Sequence, residues 1–219
     1  IDKKRFAHLL DRLGVPHPRT VVLRSPEDLA AHSDKDLVGW FLKPCDSLAF
    51  HQRHKVKGFS ITSKADAVSK LRSIQDLGLE VLLQEYIPGP ATHHVFIDGF
   101  IDGKGKVQAR FARRRLRMHP PLYGNSSLMV SIPMAEAAQA MEGLERLLTS
   151  LSYRGIFSAE FKYDERDGLF KILEVNPRAW WYVEFAARCG VDVCSMAYRD
   201  ALELVVGPVG SYSSGVRCV

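Results

Sequence analysis

The chain has 219 residues, enough for one large domain or two smaller ones sharing a cleft. Its apolar share of 46% and charged share of 25% are those of a globular protein rather than a fibrous or disordered one. No apolar run approaches the ~20 residues that span a membrane. The net charge of +5 is spread along the chain and suits small anionic substrates as well as nucleic acid.

The opening Ile1-Asp2-Lys3-Lys4-Arg5 reads as carrying no signal peptide, and without an initiator Met the chain reads as an excised fragment. Asp2 is placed to cap a helix whose Phe6, Leu9, Leu10 and Leu13 recur at helical spacing. Gly14, Pro16 and Pro18 end it. Val21–Leu23 reads as a short strand, Pro26 opens a short helix, and Val38–Lys43 reads as an apolar strand stopped by Pro44. Residues 45–57 read as a polar loop. Phe59–Thr62 reads as a strand, and Ser63 caps a helix from Lys64 to Leu77.

Val81–Ile87 reads as a buried strand broken by Pro88-Gly89-Pro90. Two strands near 95–101 and 107–115 form a predicted hairpin around Asp102-Gly103 and Gly105. Residues 120–127 read as a loop, and Ala135–Leu151 as a long amphipathic helix with Met141, Leu144, Leu147 and Leu148 on one face. A second hairpin pairs Gly155–Tyr163 with Leu169–Val175, and helices near 180–189 and 193–206 precede a Ser/Gly-rich tail. This order predicts an α+β fold with two lobes. The four cysteines form no CxxC pair. Reduced thiols in a cytoplasmic protein are the simpler reading than a metal site.

The strongest chemical signal is the second hairpin. Alternation puts Glu174, Asn176 and Arg178 on one face of its second strand, with Leu173 and Val175 facing a core. Glu160 sits on the first strand among apolar residues, where it can lie beside Glu174. Two carboxylates and an amide oxygen make a hard oxygen site suited to Mg2+ holding nucleotide phosphates. Arg178 can neutralise a transferring phosphoryl group. A solvated strand with incidental charges and a glycosidase dyad are the competing readings. Lys43, at a strand end before Pro44, is a single cation that can meet a phosphate or simply face solvent; Lys3 is a weaker signal of the same kind.

Gln84-Glu85-Tyr86-Ile87-Pro88-Gly89 can be a linker whose backbone reads an adenine edge, or a plain strand end. Alternation sends Arg113, Arg115 and Arg117 to one face, where they suit a carboxylate or phosphate; no aromatic platform interleaves them as nucleic-acid binding would favour. His93-His94 reads as ordinary strand or loop histidine, and Trp180-Trp181-Tyr182 as either a packed helical turn or a stacking platform.

Together these motifs resemble the ATP-grasp superfamily over nearly the whole chain. The wording is nearest to its ATP-dependent carboligases, a subgroup that includes D-aspartate ligase-like enzymes. Leu13-Gly14-Val15-Pro16, Phe41-Leu42-Lys43-Pro44, the QEYIPG run at 84–89, the basic strand ending Arg115-Leu116-Arg117-Met118-His119-Pro120, and the EVNPR run at 174–178 carry the likeness.

The resemblance implies two lobes, 1–86 and 87–219, with a nucleotide cleft between them. It also implies an ADP-producing carboxylate–amine ligase using ATP and two Mg2+ ions. Lys3 and Lys43 would contact the α- and β-phosphates. The backbone of Glu85, Tyr86 and Ile87 would hold adenine. Glu160, Glu174 and Asn176 would bind metal, and Arg115, Arg117 and Arg178 would face the γ-phosphate and acyl phosphate. The implied partners are a small carboxylate, such as an amino acid, and an amine acceptor, with a homodimer left open.

Three departures stand out. The loop 45–58 has one glycine, at its end, so that the side chains of Arg53, Lys55 or Lys57 would cover phosphate in place of backbone amides; Pro90-Ala91-Thr92 replaces the usual ribose-binding acid; and the usual N-terminal domain is expected to lie outside this chain. A nucleotide-binding module without catalysis and a nucleic-acid-binding domain built on Arg113–Arg117 are the alternatives.

Overall fold

The structure is a computed structural model that describes residues 3–45, 50, 52, 58–121 and 124–219. The chain folds into two compact units. One comprises Ile1–Arg12 and Pro18–Ile87, the other Leu13–His17 and Pro88–Val219. The segment Leu13–His17 thus belongs to the second unit, which a single divide along the chain does not express.

The first unit contains most of α1 (Lys3–Leu13), then β1 (Thr20–Leu23), a 3-10 turn at Pro26–Ala31, α2 (Asp34–Leu37), β2 (Trp40–Pro44), β3 (Phe59–Ser60), α3 (Lys64–Gln75) and β4 (Val81–Glu85). Its four-stranded sheet runs β1-β4-β2-β3 and every pairing is antiparallel. Val81, Leu82 and Leu83 are all buried, as expected of an inner strand, whereas β2 alternates. The core gathers Leu23, Trp40, Leu42, Leu71, Ile74 and Leu83. The predicted cap of α3 is present: Ser63 Oγ accepts the Asp66 N–H at 3.1 Å. The helix α2, capped by Ser33, precedes β2 where the sequence suggested strand from Val38.

The second unit holds β5 (His94–Ile101), β6 (Val107–His119), β7 (Asn125–Ile132), α4 (Ala138–Ser150), β8 (Gly155–Asp164), β9 (Leu169–Asn176), α5 (Val183–Arg188), α6 (Val193–Ala201) and β10 (Arg217–Cys218). Its six-stranded antiparallel sheet runs β10-β7-β6-β5-β8-β9. Both predicted hairpins form, with Ile101 opposite Val107 and Asp164 opposite Leu169. The strand β7 lies partly where a loop was expected. Its Met129, Ser131 and Ile132 are buried, because β6 extends to His119 and needs a neighbour.

The two faces of this sheet differ. One carries the buried Val95, Ile97, Ala159, Phe161 and Val175, with α4 packed along β9 and burying Leu144, Leu147 and Leu148. The other face is divided. Phe100, Ala109, Phe111 and Met129 form a core with Trp180, which follows β9, and with Phe185 and Val193 from the C-terminal helices. Further along the same strands the residues become charged.

Two bulges re-aim that charged end. Glu160 pairs with Glu174 but Phe161 pairs with Ile172, so Leu173 is an extra residue. Leu173 is half-buried, and Ile172 takes the core position expected of it. Likewise Arg115 pairs with Met129 and Arg117 with Leu128, leaving Leu116 unpaired and breaking the expected alternation of the arginines.

Candidate functional site

On the charged half of the second unit's sheet, the predicted metal-ligating residues come together. Glu160 is the register partner of Glu174, and Ser158 that of Asn176. Directly opposed residues share a face, so both carboxylates and the amide lie on one side. Glu174 is exposed and Asn176 half-buried.

Glu160 is the organised member. Its Oε1 lies 2.7 Å from His94 Nδ1 and 3.1 Å from Arg115 Nη2. An ionised carboxylate only accepts, so Nδ1 of His94 carries the proton. Burial alone would raise the Glu160 carboxyl; the His94 hydrogen bond and the Arg115 charge outweigh it and hold it down at about 2. Burial pushes the His94 imidazole below its ordinary value despite the Glu160 contact.

Arg115 is 5% exposed and firmly seated. Its Nε donates to Ser126 Oγ at 2.8 Å, and its guanidinium lies 5.0 Å from the Phe96 ring. The Tyr182 hydroxyl in turn donates to the Ser126 carbonyl. Arg113 is committed elsewhere. Its Nε donates to Asp98 Oδ2 at 2.7 Å, with both side chains almost fully buried, and its guanidinium stacks 4.0 Å over Phe96. Burial pushes the Asp98 carboxyl up, against the pull of Arg113.

Arg117 is exposed and donates to Ser127 Oγ at 3.1 Å. Arg178 lies beyond the end of β9, not on its alternating face, and donates to the Ala179 carbonyl at 3.0 Å. The three arginines read as one cluster, Arg113, Arg115 and Arg117, are therefore dispersed over an aspartate, a glutamate and a serine.

The sequence reading gave four members of this face no role in the site: it took His94 for an ordinary histidine and left out Phe96, Asp98 and Lys162. His94, Phe96 and Asp98 alternate along β5, and that period-2 pattern was the available signal. Lys162, two residues from Glu160 and opposite His94 in register, is 3% exposed. Burial and the Arg115 charge push its ammonium down to about 8.

In the first unit, Lys3 Nζ donates to the carbonyls of Pro44 at 2.9 Å and Cys45 at 3.0 Å. This brings it to the end of β2 next to Lys43, which is half-buried opposite Leu82. Lys57 and most of the predicted covering loop, including Arg53 and Lys55, lie outside the described residues. The Glu85 side chain is 5% exposed and paired with Arg19. In the segment expected to read adenine, the Glu85 N–H donates to the Arg19 carbonyl at 2.9 Å and the Tyr86 N–H to the Gly39 carbonyl at 3.1 Å. Those two donors are thus occupied by the fold itself. Ile87 is buried at the end of this unit.

The donor set of the second unit fits a hard divalent cation. Among the described residues nothing bonds Glu160 Oε2, and Glu174 is exposed across the ladder. No three His, Cys, Asp or Glu side chains among the described residues form a self-sufficient metal cluster. That is the usual economy of Mg2+, which takes one or two carboxylates and completes its shell with water and substrate phosphate. Among the described residues, no helix is long and apolar enough to cross a membrane.

No protein-family model matches the chain. D-aspartate ligase of Enterococcus faecium is 24% identical over 208 residues, covering 91% of this chain and 49% of the relative. The biotin carboxylase domain of Hydrogenobacter thermophilus 2-oxoglutarate carboxylase, solved with MgADP and bicarbonate, superposes with a TM-score of 0.76 at 16% identity. That match covers 99% of this chain and 48% of the solved one. An L-amino acid ligase from Bacillus licheniformis superposes with a TM-score of 0.67 at 14% identity, covering 93% and 48%. The chain spans about half the length of each of these three proteins. It has the ATP-grasp fold and is a distant sequence relative of D-aspartate ligase.

Proposed function

We propose that the chain is the nucleotide-binding and catalytic part of an ATP-dependent carboxylate–amine ligase that forms an amide through an acyl phosphate. The observation that carries this is the register pairing of Glu160 with Glu174, with Asn176 on the same face. The 24% identity to a D-aspartate ligase supports the reaction class. In this reading the first lobe, 1–86, supplies Lys3, Lys43 and Lys57 toward phosphate, and the segment 85–87, which runs from it into the second lobe, lies toward adenine. The second lobe, 87–219, supplies the acidic face.

Glu160, Glu174 and Asn176 would hold Mg2+, two ions in all, which when bound would neutralise charge on the nucleotide phosphates. An oxygen of the substrate carboxylate attacks the γ-phosphorus, the bond to the bridging oxygen breaks, and ADP leaves with that electron pair. The amine then attacks the acyl carbon, phosphate leaves, and the amine gives up a proton. Neither step needs a side-chain nucleophile. The chain's work is to position reactants and balance charge, with Arg117 and Arg178 the exposed cations for the acyl phosphate.

The test is ADP release with MgATP across a panel of amino acids, D-aspartate included, with and without an amine acceptor. Release that requires both carboxylate and amine is expected. ATP affinity without turnover under every pairing would instead mark a nucleotide-binding module.

A further inference from the structure

Glu160 presents its two oxygens unequally. Oε1 receives two donors, His94 Nδ1 at 2.7 Å from β5 and Arg115 Nη2 at 3.1 Å from β6. Oε2 receives none among the described residues. Both donors are themselves immobilised. The His94 side chain is 10% exposed and that of Arg115 6% exposed. Arg115 is braced by Ser126 Oγ at 2.8 Å, by Met118 Sδ at 3.5 Å and by the Phe96 ring. Such bracing differs from a flexible surface arginine waiting for a phosphate.

We infer that His94 and Arg115 are positioning residues that fix Glu160 as a one-oxygen ligand and thereby favour Mg2+ over Ca2+ at this site. The inference rests on the metal-site reading above. A carboxylate with one oxygen held by two donors can offer a cation only the other. One-oxygen coordination suits the small octahedral Mg2+ shell, whereas Ca2+ readily takes carboxylates through both oxygens in a larger, more flexible shell. Partners that orient a metal ligand typically change metal affinity about 10- to 100-fold when removed.

The experiment measures Mn2+ binding by electron paramagnetic resonance, with Mg2+ and Ca2+ as competitors, in the presence of ADP. Arg115→Met and His94→Phe each release one donor from Oε1. Both should weaken Mn2+ and Mg2+ about 10-fold or more, weaken Ca2+ less, and leave metal-free ADP binding unchanged. Arg115→Lys, which keeps a charge and a donor, should restore part of the discrimination.

Unchanged ion preference in both variants would overturn the inference, as would a loss of metal-free affinity for ADP or for a non-hydrolysable ATP analogue in Arg115→Met, which would make Arg115 a phosphate ligand. Should Arg115→Met not fold, His94→Phe reads the same oxygen. A parent chain with no ADP-dependent Mn2+ binding, or one in which Glu174→Ala leaves that binding intact, sinks the metal site itself and is a separate outcome.

Discussion

Glu160 and Glu174 face each other across the β8–β9 ladder in opposite states: one is clamped through a single oxygen by two buried donors, the other stands exposed. Like charges directly opposed in a sheet repel. The Arg115 guanidinium on Glu160 offsets that repulsion in the protein alone.

The exposed state of Glu174 sets the first prediction. Glu174→Ala removes no contact seen among the described residues, so stability should change by less than about 0.5 kcal/mol, as for ordinary surface substitutions. Carboxylate-dependent ADP release should be abolished. Thermal melting and a coupled ADP assay on the same preparation check both, and retained turnover would count against the metal assignment.

The Asp98–Arg113 pair behaves differently, because both partners are almost fully buried. Asp98→Ala leaves an uncompensated guanidinium under Phe96 and should cost about 3–5 kcal/mol. Replacing both, as Asp98→Leu with Arg113→Met, should recover most of that loss. Urea denaturation of Asp98→Leu, Arg113→Met and the double variant measures the coupling; additive losses would show that the pair is not a unit.

A pH dependence follows from the β8–β9 turn. The Asp164 carboxylate is fully buried and accepts from Arg166 Nε at 2.8 Å and from Lys171 Nζ at 2.7 Å. The Arg166 hydrogen bonds, with those of Lys171, outweigh burial and hold its carboxyl well below the ordinary 3.8. The folded state therefore binds this proton less readily than the unfolded chain. The stabilisation is complete above the ordinary value and is lost as pH falls below it toward the folded one. Asp164→Asn should lower stability at neutral pH and flatten the acid limb. Urea midpoints from about pH 5 down to about pH 2 test this, and a parallel displacement of the whole curve would refute it.

Gly89, just after the first unit ends, has φ +109, and a Cβ there would lie 2.3 Å from His93 Nδ1. Gly89→Ala should destabilise by about 1–3 kcal/mol from backbone strain alone, with the ring clash added. Adding His93→Ala should relieve the clash but not the strain. Melting temperatures of the single and double variants separate the two contributions.

The sequence by itself determined most elements and the acidic face. Period-2 alternation and a short turn between β8 and β9 are local properties, so Glu160, Glu174 and Asn176 could be assigned to one side before any coordinates. The Ser63 cap and the α4 stripe were legible for the same reason. Alternation does not say which strands become neighbours, nor where a bulge resets the count. His94 lies 66 residues before Glu160 and Arg115 lies 45 before it. They reach the same oxygen only because β5 sits between β6 and β8 in the sheet. The tertiary structure alone decided that Arg113 is a buried partner of Asp98, that Leu116 and Leu173 are bulged, and that the Glu85 and Tyr86 amides are tied to Arg19 and Gly39. Each of these depends on long-range pairing, where burial forces every charge and backbone donor to find a partner wherever the fold supplies one.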